Sequence, residues 1–139
     1  MVDQNGTEIG TATDPFGGMI VRRAGDDAVA LFGSTGGLDD EITFYHTTTN
    51  CTDPRQFYVD GGSGLAYLGA AHGGALFYTR TIIPGPQVPV VAVERFEKGQ
   101  DATQPGVCTL EDHGSGSLGV VTMVIDSALA NLALPLRLK

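Results

Sequence analysis

The chain has no tryptophan, only two cysteines, few basic residues and no long apolar run. Each shortage closes a class of function. No stretch approaches the roughly 20 apolar residues that a membrane-spanning helix needs. Basic residues number 8 against 16 acidic ones, for a formal charge of −8, and Arg22-Arg23 is the one adjacent pair of cations. A surface that tracks phosphates needs clustered cations, so nucleic acid and anionic membranes are not expected partners. Neither cysteine sits in a Cys-x-x-Cys arrangement, which argues against a redox motif or a thiolate zinc site. The 20 glycines follow no three-residue period, so they mark turns and not collagen. The opening Met-Val-Asp-Gln-Asn-Gly lacks the charged and apolar regions of a signal peptide. Export would therefore require a leader already removed, or a segment cut from a longer chain.

What is present reads as one all-β domain over residues 1–139, with residues 1–15 a polar, partly mobile entry segment. The length suits one domain, and the 42% apolar and 17% charged fractions suit a folded globule. Met19–Arg23 and Ala28–Phe32 flank Ala24-Gly25-Asp26-Asp27, a hairpin pattern. From Glu41 to Thr47, Ile42, Phe44 and His46 alternate with Thr43 and Tyr45. Gln56–Val59 is a shorter strand, and 75–83 a strong one stopped by Pro84-Gly85-Pro86. Pro89 places the start of 88–96 at an edge or bulge, because proline cannot donate to a ladder. Leu118–Ile125, apolar on both faces, is expected to be a central buried strand. Asp126-Ser127 is positioned to cap a short helix over 128–132, ahead of a last strand over 134–138. Strands at short spacing without intervening helices predict an antiparallel β-sandwich or small barrel with one short C-terminal helical turn.

Two cysteines with none left over suit one disulfide, Cys51 to Cys108. Each is placed at a strand end, where the required Cα separation is attainable. The alternative is two buried thiols packing as small hydrophobes. High glycine and threonine content with little lysine also suits an extracellular β protein.

Val2-Asp3-Gln4-Asn5-Gly6 with Ile9-Gly10, then Phe44-Tyr45-His46-Thr47-Thr48 leading to Cys51, then Leu76-Phe77-Tyr78 and a late Cys108, come in a recognisable order. In this the chain resembles a group of secreted bacterial all-β proteins with no known activity. Those begin V-D-x-N-G-x-x-[VI]-G, carry an F-Y-x-T-T stretch before one cysteine, and have a second cysteine late in the chain. Some members resemble C-terminal modules of longer extracellular or fibre-like proteins. The similarity covers most of the chain, although Leu134–Leu138 matches the group's Pro-Phe ending only loosely. It implies export, β-structure and the disulfide, and it carries over no catalytic residue.

Candidate chemistry is sparse. Gly114-Ser115-Gly116-Ser117-Leu118-Gly119 spells G-x-G-x-x-G, but a β-branched run follows where a dinucleotide site needs a helix. A loop is expected there. His46, His72 and His113 share no ligand spacing. His46 falls on the Ile42/Phe44 face as a core histidine, and His72 in a glycine-rich loop. Asp112, His113 and Ser115 lack the strand–turn–helix context of a nucleophile elbow. Asp39-Asp40-Glu41 lacks the spaced ligands of a calcium loop and reads as a solvated turn. No catalytic, metal or cofactor residue is assigned, and no cofactor is expected. Without tryptophan, sugar-stacking contacts fall to Tyr45, Tyr58 and Tyr67. The expectation is a non-enzymatic extracellular structural or interaction module. It would work through a β surface, self-associating or binding a protein, with the Pro89 segment a candidate edge. Carbohydrate binding is the second reading and extracellular hydrolysis the third.

Overall fold

A computed structural model describes residues 1–12, 18–34, 37–38, 41–59, 66–130 and 132 of the chain. Among these, the strands in chain order are β1 Thr11–Ala12, β2 Met19–Ala24, β3 Asp27–Ser34, β4 Gly37–Leu38, β5 Ile42–His46, β6 Gln56–Tyr58, β7 Tyr67–His72, β8 Ala75–Thr79, β9 Val88–Pro89, β10 Ala92–Phe96, β11 Cys108–Leu110, β12 Ser115–Gly116 and β13 Leu118–Ile125. One 3₁₀ turn, Ser127–Leu129, follows them. The fold is all-β. One long sheet runs β1-β2-β3-β7-β8-β13-β6-β5-β10-β11, with β4 beside β3, and β9 pairs β12 in a separate ribbon.

The hairpins follow from glycine chemistry. Ala24 pairs with Asp27 across Gly25-Asp26, and Gly25 has φ +62°. His72 pairs with Ala75 across Gly73 and Gly74, both at positive φ. Two-residue hairpin loops that match strand twist need positive φ at the first position or at both, and glycine meets this without steric cost, at the first position of Gly25-Asp26 and at both of Gly73-Gly74. This places His72 at the end of β7 and not in a loop. It is buried, and its Nε2 donates to the Gln100 carbonyl at 2.7 Å.

β3 and β7 run parallel, with Val29 opposite Tyr67, an exception within the antiparallel β-sandwich or small barrel that the sequence pattern predicts. The sheet is therefore mixed, and the chain between these strands passes through β4, β5 and β6 before returning. Strand β8 is buried along its whole length, between two apolar clusters. Leu76 and Tyr78 point into one with Ile9, Ile20, Val29 and Leu31. Ala75 and Phe77 point into the other with Ile42, Phe44 and Phe96. The strand buried on both faces is thus β8. β13, expected in that role, leaves Val120, Met123 and Ile125 substantially exposed.

Other elements also depart from the sequence reading. Residues 1–12 contribute core, not only entry: Val2 and Ile9 are buried, and the Met1 ammonium donates to the Gly10 carbonyl at 2.9 Å. β8 stops at Thr79, and Thr81 to Ile83 are exposed. The 88–96 segment breaks into β9 and β10, because Val90 and Val91 turn their N–H groups to Gly114 and His46 carbonyls. Pro89 lies in the two-stranded ribbon, where each strand is an edge. Asp126 caps nothing with its side chain. Its carboxylate instead grips the Arg22 guanidinium at 2.5 and 2.9 Å. The predicted strand over 134–138 lies outside the described residues.

Gly69 lets β7 pack against β3 and β8 at once. A Cβ there would stand 2.6 Å from the Phe77 carbonyl oxygen, 2.7 Å from Val29 Cγ1 and 2.8 Å from Tyr78 Cβ. The first of these is backbone and cannot swing away. Gly69→Ala should therefore cost about 3 kcal/mol, the upper part of the overpacking range. Chemical denaturation checks this, and an unchanged midpoint would contradict the packing argument.

Candidate binding surfaces

Two surface features stand out: a groove on the aromatic side of β5 and β6, and a strand edge that is unpaired among the described residues. The groove has a volume of about 320 Å³ and lies between the start of β5 with β6 and the strands β7 and β8. Glu41, Thr43, Tyr45, Tyr58, Gly69 and Thr79 are among its lining residues. Alternation along β5 sends Ile42, Phe44 and His46 inward, so Thr43 and Tyr45 face outward. The Tyr45 and Tyr58 rings meet at 4.4 Å with a 54° tilt. Tyr67 is not in this groove. It faces the other side of β7 and stacks on Tyr78 at 6.0 Å.

Each groove tyrosine is braced. The Tyr58 ring lies over Gly116, where a Cβ would come within 2.3 Å of Cε1. Burial, and after it the proximity of Tyr45, raises the Tyr58 phenol above its ordinary pKa, so it stays a neutral donor. His113 meets Tyr45 edge-on at 5.7 Å, and its Nε2 is 3.4 Å from Glu111. Glu111 in turn is paired with Arg95.

The edge belongs to β13. Its first half, Leu118 to Val120, pairs with β6, and Val121 N–H reaches the Arg55 carbonyl at 2.9 Å. Continuing that register would set Asp53 opposite Met123. Asp53 is instead turned inward, with its N–H on the Thr48 hydroxyl and its carboxylate on the His46 ring. Among the described residues, Thr122 to Ile125 pair with β8 alone, on the opposite side. The outward N–H and C=O groups of Met123 and Ile125 therefore have no cross-strand partner among the described residues. Met123 is 45% and Ile125 64% exposed. β13 contains no charge and no proline, the devices by which proteins commonly blunt a sheet edge.

Behind these surfaces lies a buried ionic network. His46 is fully buried, with Nδ1 2.8 Å from Asp53 Oδ1 and Nε2 2.5 Å from Glu94 Oε1. Each ring nitrogen of His46 thus faces one carboxylate. Arg55 pairs with Glu94 at 3.1 Å, and its guanidinium lies 4.5 Å from the Phe44 ring centroid and 5.1 Å from that of Phe96. It also donates to the Ala102 and Gln104 carbonyls. Burial opposes the Asp53 charge, but donors from Thr47, Thr48 and His46 outweigh it and hold the carboxyl well below its ordinary range. Burial likewise opposes the Glu94 charge, and Arg55, the Gly106 N–H and His46 hold its pKa down. No sequence spacing links His46, Asp53, Arg55 and Glu94. Only the core placement of His46 is legible beforehand, from the alternation of β5.

Cys51 and Cys108 form a disulfide with Cα atoms 5.8 Å apart. Cys51 lies beyond β5 at φ +55°, and Cys108 opens β11. The remaining motifs do not assemble into chemistry. Asp112 accepts from Gly114 N–H at 2.8 Å, while His113 faces Glu111 and Tyr45. Asp112, His113 and Ser115 therefore form no relay among the described residues. Within the G-x-G-x-x-G stretch, Ser115-Gly116 is β12 and Leu118 opens β13, so strands surround it where a dinucleotide site needs a helix. Asp39 and Asp40 lie outside the described residues, and Glu41 lies on the groove. Among the described residues no three or more His, Cys, Asp or Glu side chains are arranged to hold a metal, and no helix is long and apolar enough to cross a membrane. No protein-family model, curated protein or solved structure matches the chain.

Proposed function

We propose that this chain is a non-enzymatic extracellular interaction module that associates with a second copy of itself by strand addition at β13. The observation that carries this is the uncharged, apolar edge from Thr122 to Ile125, which is open among the described residues. A two-fold axis at Val124 would pair Met123 with Ile125 of the second copy, and Ile125 with its Met123. Both are positions whose N–H and C=O groups point outward, so the pairing forms four backbone hydrogen bonds. It also sets the Met123 and Ile125 side chains beside each other across the junction. The edge needs no foreign sequence to be satisfied.

The disulfide supports an oxidising location, as does the resemblance to secreted bacterial β proteins. So short a ladder buries much less than the roughly 1,600 Å² of a standard interface. Association of isolated chains is therefore weak, and strengthens when copies are held together in a fibre or on a surface. Sedimentation velocity over a wide concentration range tests this. The wild type should show reversible self-association, and Ile125→Lys should weaken it at least about tenfold, or about 1.4 kcal/mol. A wild type that stays monomeric throughout, or an Ile125→Lys variant that associates equally well, would overturn the reading.

A further inference from the structure

We infer that the groove beside Tyr45 and Tyr58 is a separate binding site for a neutral glycan, occupied by one or two pyranose rings. The inference does not depend on self-association. It rests on the shape, chemistry and charge of the groove.

Its volume, about 320 Å³, lies at the small end of ligand sites, which span roughly 300–1,000 Å³. A sugar offers an apolar C–H face and a rim of hydroxyls. The groove presents two tyrosine rings for the first and, for the second, the Thr43 hydroxyl and the Glu41 carboxylate. A tyrosine combines an apolar body with a polar tip, and neither phenol hydroxyl here is taken by another described residue. The rings are also held before any ligand arrives, Tyr58 by Gly116 and Tyr45 by His113. Little side-chain entropy is then lost on binding.

Charge narrows the class. Among the described residues no lysine or arginine lines the groove. The nearby guanidinium of Arg95 is engaged by Glu111. Glu41 stands at the site, and the chain as a whole carries −8. Phosphates, sulfated sugars, uronates and sialic acids would meet a carboxylate with no compensating cation among the described lining residues. A neutral hexose or N-acetylhexosamine meets acceptors and donors only.

An array of neutral hexose and N-acetylhexosamine oligosaccharides, with sialylated, sulfated and uronic acid glycans beside them, tests the inference. Bound glycans are then titrated by intrinsic tyrosine fluorescence, which no tryptophan masks. The expected result is saturable binding of neutral glycans, weakened at least about tenfold by Tyr45→Ala and severalfold by Glu41→Gln and Thr43→Val. Thermal melts of each variant separate lost contacts from lost fold, and the two polar variants keep the test open if Tyr45→Ala unfolds. Binding confined to anionic glycans, binding unchanged in folded Tyr45→Ala and Glu41→Gln, or no binding at all would overturn it. Each result stands apart from the sedimentation result, because β13's open edge does not line the groove.

Discussion

Glu94→Gln is expected to destabilise the fold by about 3 kcal/mol. Each Glu94 oxygen accepts more than one donor. Oε1 takes His46 Nε2 at 2.5 Å and Arg55 Nε at 3.4 Å, and Oε2 takes an Arg55 amino group at 3.1 Å and Gly106 N–H at 3.0 Å. A glutamine must place its amide nitrogen, itself a donor, against one of those pairs. It also removes the charge that compensates Arg55 inside the second apolar cluster. Breaking a buried pair by changing one partner costs more than the pair contributes, because the other charge stays buried. Exposure of Arg55, about a fifth of its side chain, keeps the cost at the lower end of the 3–5 kcal/mol range.

The same network gives the sign of the acid response. The Asp53 and Glu94 carboxyls are lowered from ordinary values of 3.8 and 4.5. As pH falls below those values the unfolded chain takes up protons first, so stability rises with pH in this range. The stabilisation is fully present above about pH 4.5 and is lost as the pH falls through the lowered values of the folded state. Urea midpoints measured from pH 7 downward should show the wild type losing stability on acidification, with a shallower slope in Glu94→Gln. A wild type and variant with the same midpoint and the same acid slope would refute the assignment.

Removing the disulfide should be at least as damaging. Cys51 and Cys108 are 57 residues apart, and closing a loop of that length removes unfolded-state entropy worth about 4 kcal/mol in the chain-entropy model. The loop encloses β6 to β10, so the crosslink restricts a large part of the sheet. It also holds together two segments that the ionic network approaches from within. Asp53, two residues past Cys51, reaches His46, and Gly106, two before Cys108, donates to Glu94. For a domain of this size the Cys51→Ser, Cys108→Ser double variant should melt roughly 10–15 °C lower. Differential scanning calorimetry measures this, and a melting point within a degree or two of the wild type would show that the crosslink adds nothing.

Which parts of the molecule are legible in the sequence depends on how far the determining contacts lie along the chain. The β2–β3 hairpin can be read because Gly25 and its flanking apolar runs are neighbours. The inward set Ile42, Phe44 and His46 can be read because strand alternation is local. β13 misleads because a continuous apolar run looks the same whether its faces are covered or, as at Val120, Met123 and Ile125, left exposed. What opens the edge is Asp53, which a register continuing from β6 would place there and which His46 and Thr48 instead draw inward. Asp126 misleads for the same reason. Its local setting is that of a helix cap, but the distant Arg22 offers a bidentate pair of hydrogen bonds from a full positive charge, against the single bond from a backbone N–H that a cap would supply.

The amino-acid sequence alone determined that the chain is β-structured, that the Gly25 hairpin forms, and which residues of β5 face inward. Those follow from turn chemistry and a period of two. The cysteine pairing was one of two open readings until the 5.8 Å Cα separation decided it. The parallel β3–β7 pair, the burial of β8 on both faces, the four-residue ionic network and the meeting of Tyr45 with Tyr58 were decided by tertiary structure. Each depends on contacts between residues far apart in the chain, and a local pattern carries no information about which distant strand will lie beside it.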